Sequence, residues 1–116
     1  MQINSIDQAK PYDAARHFGM HALRLHGYEA SDCADFWVGL STFLPGGGAE
    51  RGASPTGKVY VVIEGRMTVS TDDHEAVLGP LDSCYLAPGE TRTVENRTNR
   101  PATMLVISPY PGPAAS

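Results

Sequence analysis

The chain has 116 residues, of which 41% are hydrophobic and 19% charged, and a formal net charge of −4. That length and composition set one domain with a core of its own and exclude a disordered tail. The acidic balance gives no electrostatic support to a nucleic-acid or anionic-membrane partner, and no apolar run approaches the ~20 residues a membrane-crossing helix needs.

The start of the chain, Met-Gln-Ile-Asn-Ser-Ile-Asp-Gln, lacks the basic-then-apolar layout of a signal peptide, so a cytoplasmic location is expected. Cys33 and Cys84 show no CxxC spacing and read as reduced thiols. Residues 1–16 are polar and irregular and read as an N-terminal arm. From His17 to Gly27 the pattern alternates, placing His21, Leu23 and Leu25 on one strand face and Ala22, Arg24 and His26 on the other. His17 shares the parity of His21, unless the two stand one turn apart on a short helix. Phe36 to Leu44 reads as a strand. Pro45 to Gly57, rich in Gly and Pro, reads as a long loop, and loops of such length often carry function. Lys58 to Ile63 is a run of strong strand formers that stops at Gly65. Short strands separated by turns follow: Arg66 to Thr71, Ala76 to Leu78, Ser83 to Leu86, Thr91 to Glu95 and Ala102 to Ser108. Residues 109–116 carry prolines and read as an extended tail. Roughly eight short strands without a long helix predict an all-β sandwich or barrel over residues 17–108.

Two stretches give the barrel a more specific character. The first runs from Gly46 to Gly65 and the second from Leu81 to Asn96. In spacing they resemble the two motifs of the cupin superfamily, small double-stranded β-helix (jelly-roll) barrels that usually hold a metal. Gly46, Gly65, Gly89 and Asn96 match the motif skeleton. Leu81 replaces a glycine and Ala87 a proline. The resemblance implies a barrel with three His and one Glu around Fe, Mn, Ni or Zn. Gly52, Ser54, Lys58 and Arg92 stand at those four positions instead. Gly and Ser cannot replace an imidazole, and protonated Lys and Arg repel a cation. No metal or other cofactor is therefore expected there.

If the cupin frame holds, Lys58 and Arg92 both point into the barrel. Two cations in an apolar cup make an anion site, because Arg offers a planar fork and Lys a point charge. Unpaired burial of both would cost several kcal/mol, so a ligand or a carboxylate such as Glu50 should accompany them. The alternative is that both side chains snorkel to the barrel mouth. A buried lysine beside an arginine has its pKa lowered and can act as a base or form a Schiff base. Lys58, Glu50, His21 and Tyr60 are the candidate catalytic residues. Lys58, Arg92, Arg51 and Trp37 are the candidate substrate-binding residues. Tyr60 and Trp37 read equally as core packing. Cys84 reads as a buried structural thiol. Gly46-Gly47-Gly48 is no phosphate loop, since no Lys-Ser/Thr follows it.

The functional expectation is a barrel that binds a small organic acid or enolate, as a metal-independent isomerase, decarboxylase or lyase would. The alternatives are a non-catalytic ligand-binding barrel, a barrel that persists as an assembly partner, and an atypical metal site built from His17, His21 and Glu50. The first and last strands, read as unpaired edges, predict a homodimer.

Overall fold

The structure, a computed structural model, describes residues 1–111. It is all-β apart from a single 3-10 turn at Ile6–Gln8. The strands are β1 (Lys10–Tyr12), β2 (His17–His26), β3 (Trp37–Gly52), β4 (Lys58–Glu64), β5 (Met67–Thr71), β6 (Glu75–Leu78), β7 (Ser83–Leu86), β8 (Arg92–Glu95) and β9 (Ala102–Ser108). They form one antiparallel sheet in the order β6-β5-β8-β3-β9-β4-β7, with β2 on β3 and β1 on β2. No helix among the described residues is long and apolar enough to cross a membrane.

Of the segment Pro45 to Gly57 expected to be a loop, residues 53–57 form the connection to β4, and residues 45–52 are the second half of the long strand β3. Its first half pairs with β9 from Trp37 to Phe43, and its second half pairs with β8 from Gly48 to Gly52. The chain turns between these halves at Gly46, whose φ of +84° lies in the left-handed region that glycine adopts without penalty. Gly47 and Gly48 are buried just beyond the corner. A Cβ on Gly47 would strike the Gly19 carbonyl, and one on Gly48 would strike the Val94 carbonyl. Glycine here lets three backbones approach, so its presence marks a bent strand rather than a loop.

Asn96 locks the same corner. Its Nδ2 donates to the carbonyls of Phe43 at 3.1 Å and Arg100 at 2.7 Å. Its Oδ1 accepts from the Thr98 backbone N–H at 3.0 Å and from the Thr98 hydroxyl at 2.7 Å. A fully buried amide with both ends engaged is a structural part, not a free ligand group. Leu81, where the motif has glycine, keeps the left-handed backbone at φ +69° and donates its N–H to the Val62 carbonyl at 2.7 Å. The fold thus retains the turn and carries a non-glycine strain of about 1–2 kcal/mol.

The core lies inside the barrel, among Phe43, Tyr60, Val62, Met67, Val94, Met104 and their neighbours. Each fully buried aliphatic side chain contributes about 1.5–3 kcal/mol relative to exposure. Two edge expectations are corrected. β9 is central, held between β3 and β4, because both its faces are apolar. The N-terminal arm contributes its own strand, β1, against β2. Of the expected extended tail, residues 112–116 lie outside the described residues. Tyr110 packs back, its hydroxyl donating to the Cys33 carbonyl at 2.7 Å and accepting from the Tyr28 N–H at 2.9 Å.

Candidate functional site

One end of the barrel opens into a cavity of about 330 Å3. Lys58, at the start of β4, shares the inner face with buried Tyr60 and Val62. Arg92, at the start of β8, shares the inner face with buried Val94. Both side chains line the cavity, as do Tyr60 and Trp37. The Arg92 Nε donates to the Tyr60 hydroxyl at 3.1 Å, and its Nη1 donates to the Glu50 carbonyl at 3.2 Å. The Lys58 ammonium sits 5.1 Å from the centroid of the Trp37 ring.

The expected carboxylate partner is not in place. Glu50 lines the mouth, but it is the backbone carbonyl, not the carboxylate, that meets Arg92. Among the described residues the ion pairs are Arg24–Glu29, Arg51–Asp72, Arg97–Glu75 and Arg97–Glu95, so neither Lys58 nor Arg92 has a carboxylate within 4.0 Å. Burial and the neighbouring Arg92 charge hold the Lys58 pKa below its ordinary value. Burial raises the pKa of Tyr60, and the Arg92 charge and hydrogen bond oppose the rise. Burial likewise raises that of the Cys84 thiol, away from nucleophilic use.

Two expected site residues lie elsewhere. His21 is exposed and does not line the cavity. The reason is a β-bulge: the β2–β3 register shifts between Phe18 and Met20, around Gly19 at φ +59°. The bulge reverses strand parity, so His17 before it and Met20, Ala22 and Arg24 after it turn inward. Arg51 is exposed and pairs with Asp72 at 2.7 Å. It follows Glu50 where the β3–β8 register is irregular, and unlike Glu50 it does not line the cavity.

The sequence reading missed several cavity residues from the arm. Tyr12, Asp13 and Arg16 line the site. Arg16 has φ +59°, unusual for a residue with a side chain, and its guanidinium lies over Gly52, where an added Cβ would stand 3.1 Å from Nη2. A third cation therefore occupies the space beside a vanished metal ligand. Arg24, read as outward, lies inside an aromatic cage with its guanidinium carbon 3.7 Å from the Tyr12 centroid, 4.2 Å from Tyr28 and 5.0 Å from Trp37. No periodicity in a polar arm points to these contacts; they arise from the pairing of β1 with β2.

The residues present do not fit the metal that the fold usually holds. Gly52 offers no donor, and Ser54 Oγ is engaged with the Thr56 N–H at 3.2 Å and the Thr56 hydroxyl at 3.1 Å. Lys58, Arg92 and Arg16 make the site electropositive. The alternative set of His17, His21 and Glu50 is divided by the bulge, with His21 on the outer face.

The Cupin_2 model, a cupin domain, matches residues 39–108. A protein from Mycobacterium tuberculosis named a beta-D-galactosidase is 44% identical over 111 residues, 96% of each chain. The polyketide cyclase RemF from Streptomyces resistomycificus superposes with a TM-score of 0.83 at 16% identity, over 94% of this chain and 79% of that one. A cupin-superfamily sugar phosphate isomerase from Silicibacter pomeroyi gives 0.79 at 24% identity, over 96% and 76%. These structural likenesses carry the fold. With the family match spanning both motifs, the chain belongs to the cupin family.

Proposed function

We propose that the cup binds a small hydroxyl-bearing anion, a sugar acid or a similar organic acid, and acts on it by proton transfer without a metal. The observation that carries this reading is the pair Lys58 and Arg92, projecting into one cavity with no carboxylate partner among the described residues. Leaving two half-buried cations unpaired is costly, and an anionic ligand offsets that cost. Arg92 is already oriented by Tyr60 and the Glu50 carbonyl, so it meets a carboxylate with little loss of freedom. Tyr12, Tyr28 and Trp37, packed around Arg24, give one wall of the cavity an aromatic surface. Tyr60 and Glu50 line the same cavity and add two ionisable groups beside the anion.

A thermal-shift titration with D-galacturonate, D-galactose and small keto acids tests this reading. The acids are expected to raise Tm and the neutral sugar to do so far less. Lys58→Met and Arg92→Gln should each weaken acid binding about 10- to 100-fold, the worth of one charge-assisted hydrogen bond. No response to any acid would overturn the reading.

A second reading, hydrolysis of a β-D-galactoside, is favoured by the name of the 44% identical relative and by two carboxylates, Asp13 and Glu50, lining the same aromatic-walled cavity. Release of nitrophenol from nitrophenyl β-D-galactoside by the purified chain, reduced at least 100-fold in Glu50→Gln, is its expected signature. Absence of release from the wild type would end it.

A further inference from the structure

We infer that the Nε2 atom of His17 is the proton acceptor of the cup, acting on an anion held by Lys58 and Arg92. The inference rests on the anion-site reading and assigns a chemical role to a residue outside the positions of the two motifs.

His17 is the first residue of β2, opposite Ala49 of β3, and the Gly19 bulge turns its ring into the cavity. The ring stacks on Phe43 with centroids 6.5 Å apart and planes 29° apart, which fixes its orientation. Its Nδ1 lies 2.8 Å from the Ala15 carbonyl oxygen. A carbonyl only accepts, so Nδ1 carries the proton and the neutral ring presents its lone pair at Nε2. Nε2 has no hydrogen-bond partner among the described residues. A fixed tautomer with an unengaged lone pair facing a cavity is the arrangement a general base requires.

The charged and titratable groups around the ring come from every side. Arg16 precedes it, Lys58 faces it from β4, Arg92 from β8, and Asp13 and Glu50 line the mouth near it, with the Tyr60 phenol deeper in. Burial first, and then the Arg92 and Lys58 charges, hold the imidazole pKa below its ordinary value, and the Ala15 hydrogen bond opposes them in part. These influences disfavour the imidazolium form of His17. An anion between Lys58 and Arg92 cancels the repulsion and raises its basicity where a substrate proton is within reach.

On a sugar acid the step balances without any co-reactant. The C–H bond beside the carboxylate breaks and an N–H bond forms at His17 Nε2. The electron pair moves onto the carboxylate oxygens as an enediolate, whose added charge lies against Lys58 and Arg92. The imidazolium then returns a proton to carbon.

Long-range 1H–15N NMR of the imidazoles of the full chain, with D-galacturonate as probe, tests the inference. The expected free state is the Nδ1–H tautomer with an apparent pKa below the ordinary 6.5. That pKa should rise on saturation with D-galacturonate, and also in ligand-free Lys58→Met. An Nε2–H tautomer, or a pKa unmoved in Lys58→Met, overturns the inference. Absence of D-galacturonate binding defeats the anion reading instead, and the Lys58→Met comparison still decides the role of the cation. In deuterated solvent the wild type should exchange the hydrogen beside the carboxylate of D-galacturonate. His17→Gln should slow this at least 100-fold while keeping the wild-type thermal shift. Exchange unaffected by His17→Gln, or absent from the wild type while the acid binds, overturns the proton-transfer step.

Discussion

Arg24 shows how a single charged side chain organises one wall of the cup. Its side chain is 12% exposed, yet among the described residues its Nε has no hydrogen-bond partner, and the Glu29 carboxylate lies 3.9 Å away. The compensation is aromatic: Tyr12, Tyr28 and Trp37 surround the guanidinium at 3.7, 4.2 and 5.0 Å. Each contact contributes about 0.5–2 kcal/mol where water is excluded, and the aliphatic stem adds packing. Arg24→Ala is therefore expected to destabilise the chain by about 2–4 kcal/mol in urea denaturation. Arg24→Lys should recover little, because a compact ammonium cannot stack on three rings. A loss under 1 kcal/mol for Arg24→Ala would show that the cage contributes nothing net. The same substitution frees the Trp37 face, so a change in sugar-acid affinity in the folded fraction would place Arg24 at the ligand wall.

At the scale of elements, what was legible in the sequence follows from local pattern, and what was not follows from distant pairing. β4 and β9 are readable because unbroken β-branched and aliphatic runs fit a pleated strand and little else. The turn at Gly65 and the hairpin at Gly89 are readable because both glycines hold positive φ, +79° and +78°. The inward direction of Lys58 and Arg92 follows from alternation on strands free of bulges before the next buried residue. β2 defeats the same rule, since one residue inserted near Gly19 reverses every side chain across it. His21 was lost and Arg24 gained for that reason alone. β3 hid behind its glycines: a corner that needs close backbone approach has the composition of a loop. The contributions of Tyr12, Asp13 and Arg16 depend on the short arm strand β1 and on left-handed Arg16, which no window of local sequence encodes.

The whole molecule carries one feature that the cup does not explain. With Tyr60, Val62, Met104 and Val106 turned inward, the alternate residues of the same strands face outward and are also apolar. The register aligns them into rows: Leu23, Leu40, Leu105 and Val61 lie side by side across β2, β3, β9 and β4. Val38, Ile107, Val59 and Tyr85 form the next row across β3, β9, β4 and β7. At a strand spacing of ~4.8 Å and ~6.8 Å between alternate residues, these rows span about 300 Å2 of sheet, with Tyr85 exposed and the other seven side chains half-buried. An antiparallel sheet can leave one face to water, but a face lined with aliphatic side chains is suited to a partner. The inner cover is the core, and we propose that the outer cover is a second copy of the chain, meeting face to face about a twofold axis so that each row lies on its equivalent. The edges β1, β6 and β7 do not serve as well, because they are three to four residues long and offer few backbone groups. Light scattering should therefore give twice the 12.4 kDa chain mass. Val61→Lys combined with Ile107→Lys should give a folded monomer, because like charges on equivalent rows repel across the axis while the inner face is untouched. A wild-type chain that stays monomeric at high concentration, or a double variant that stays dimeric, would remove the outer sheet face as the site of assembly.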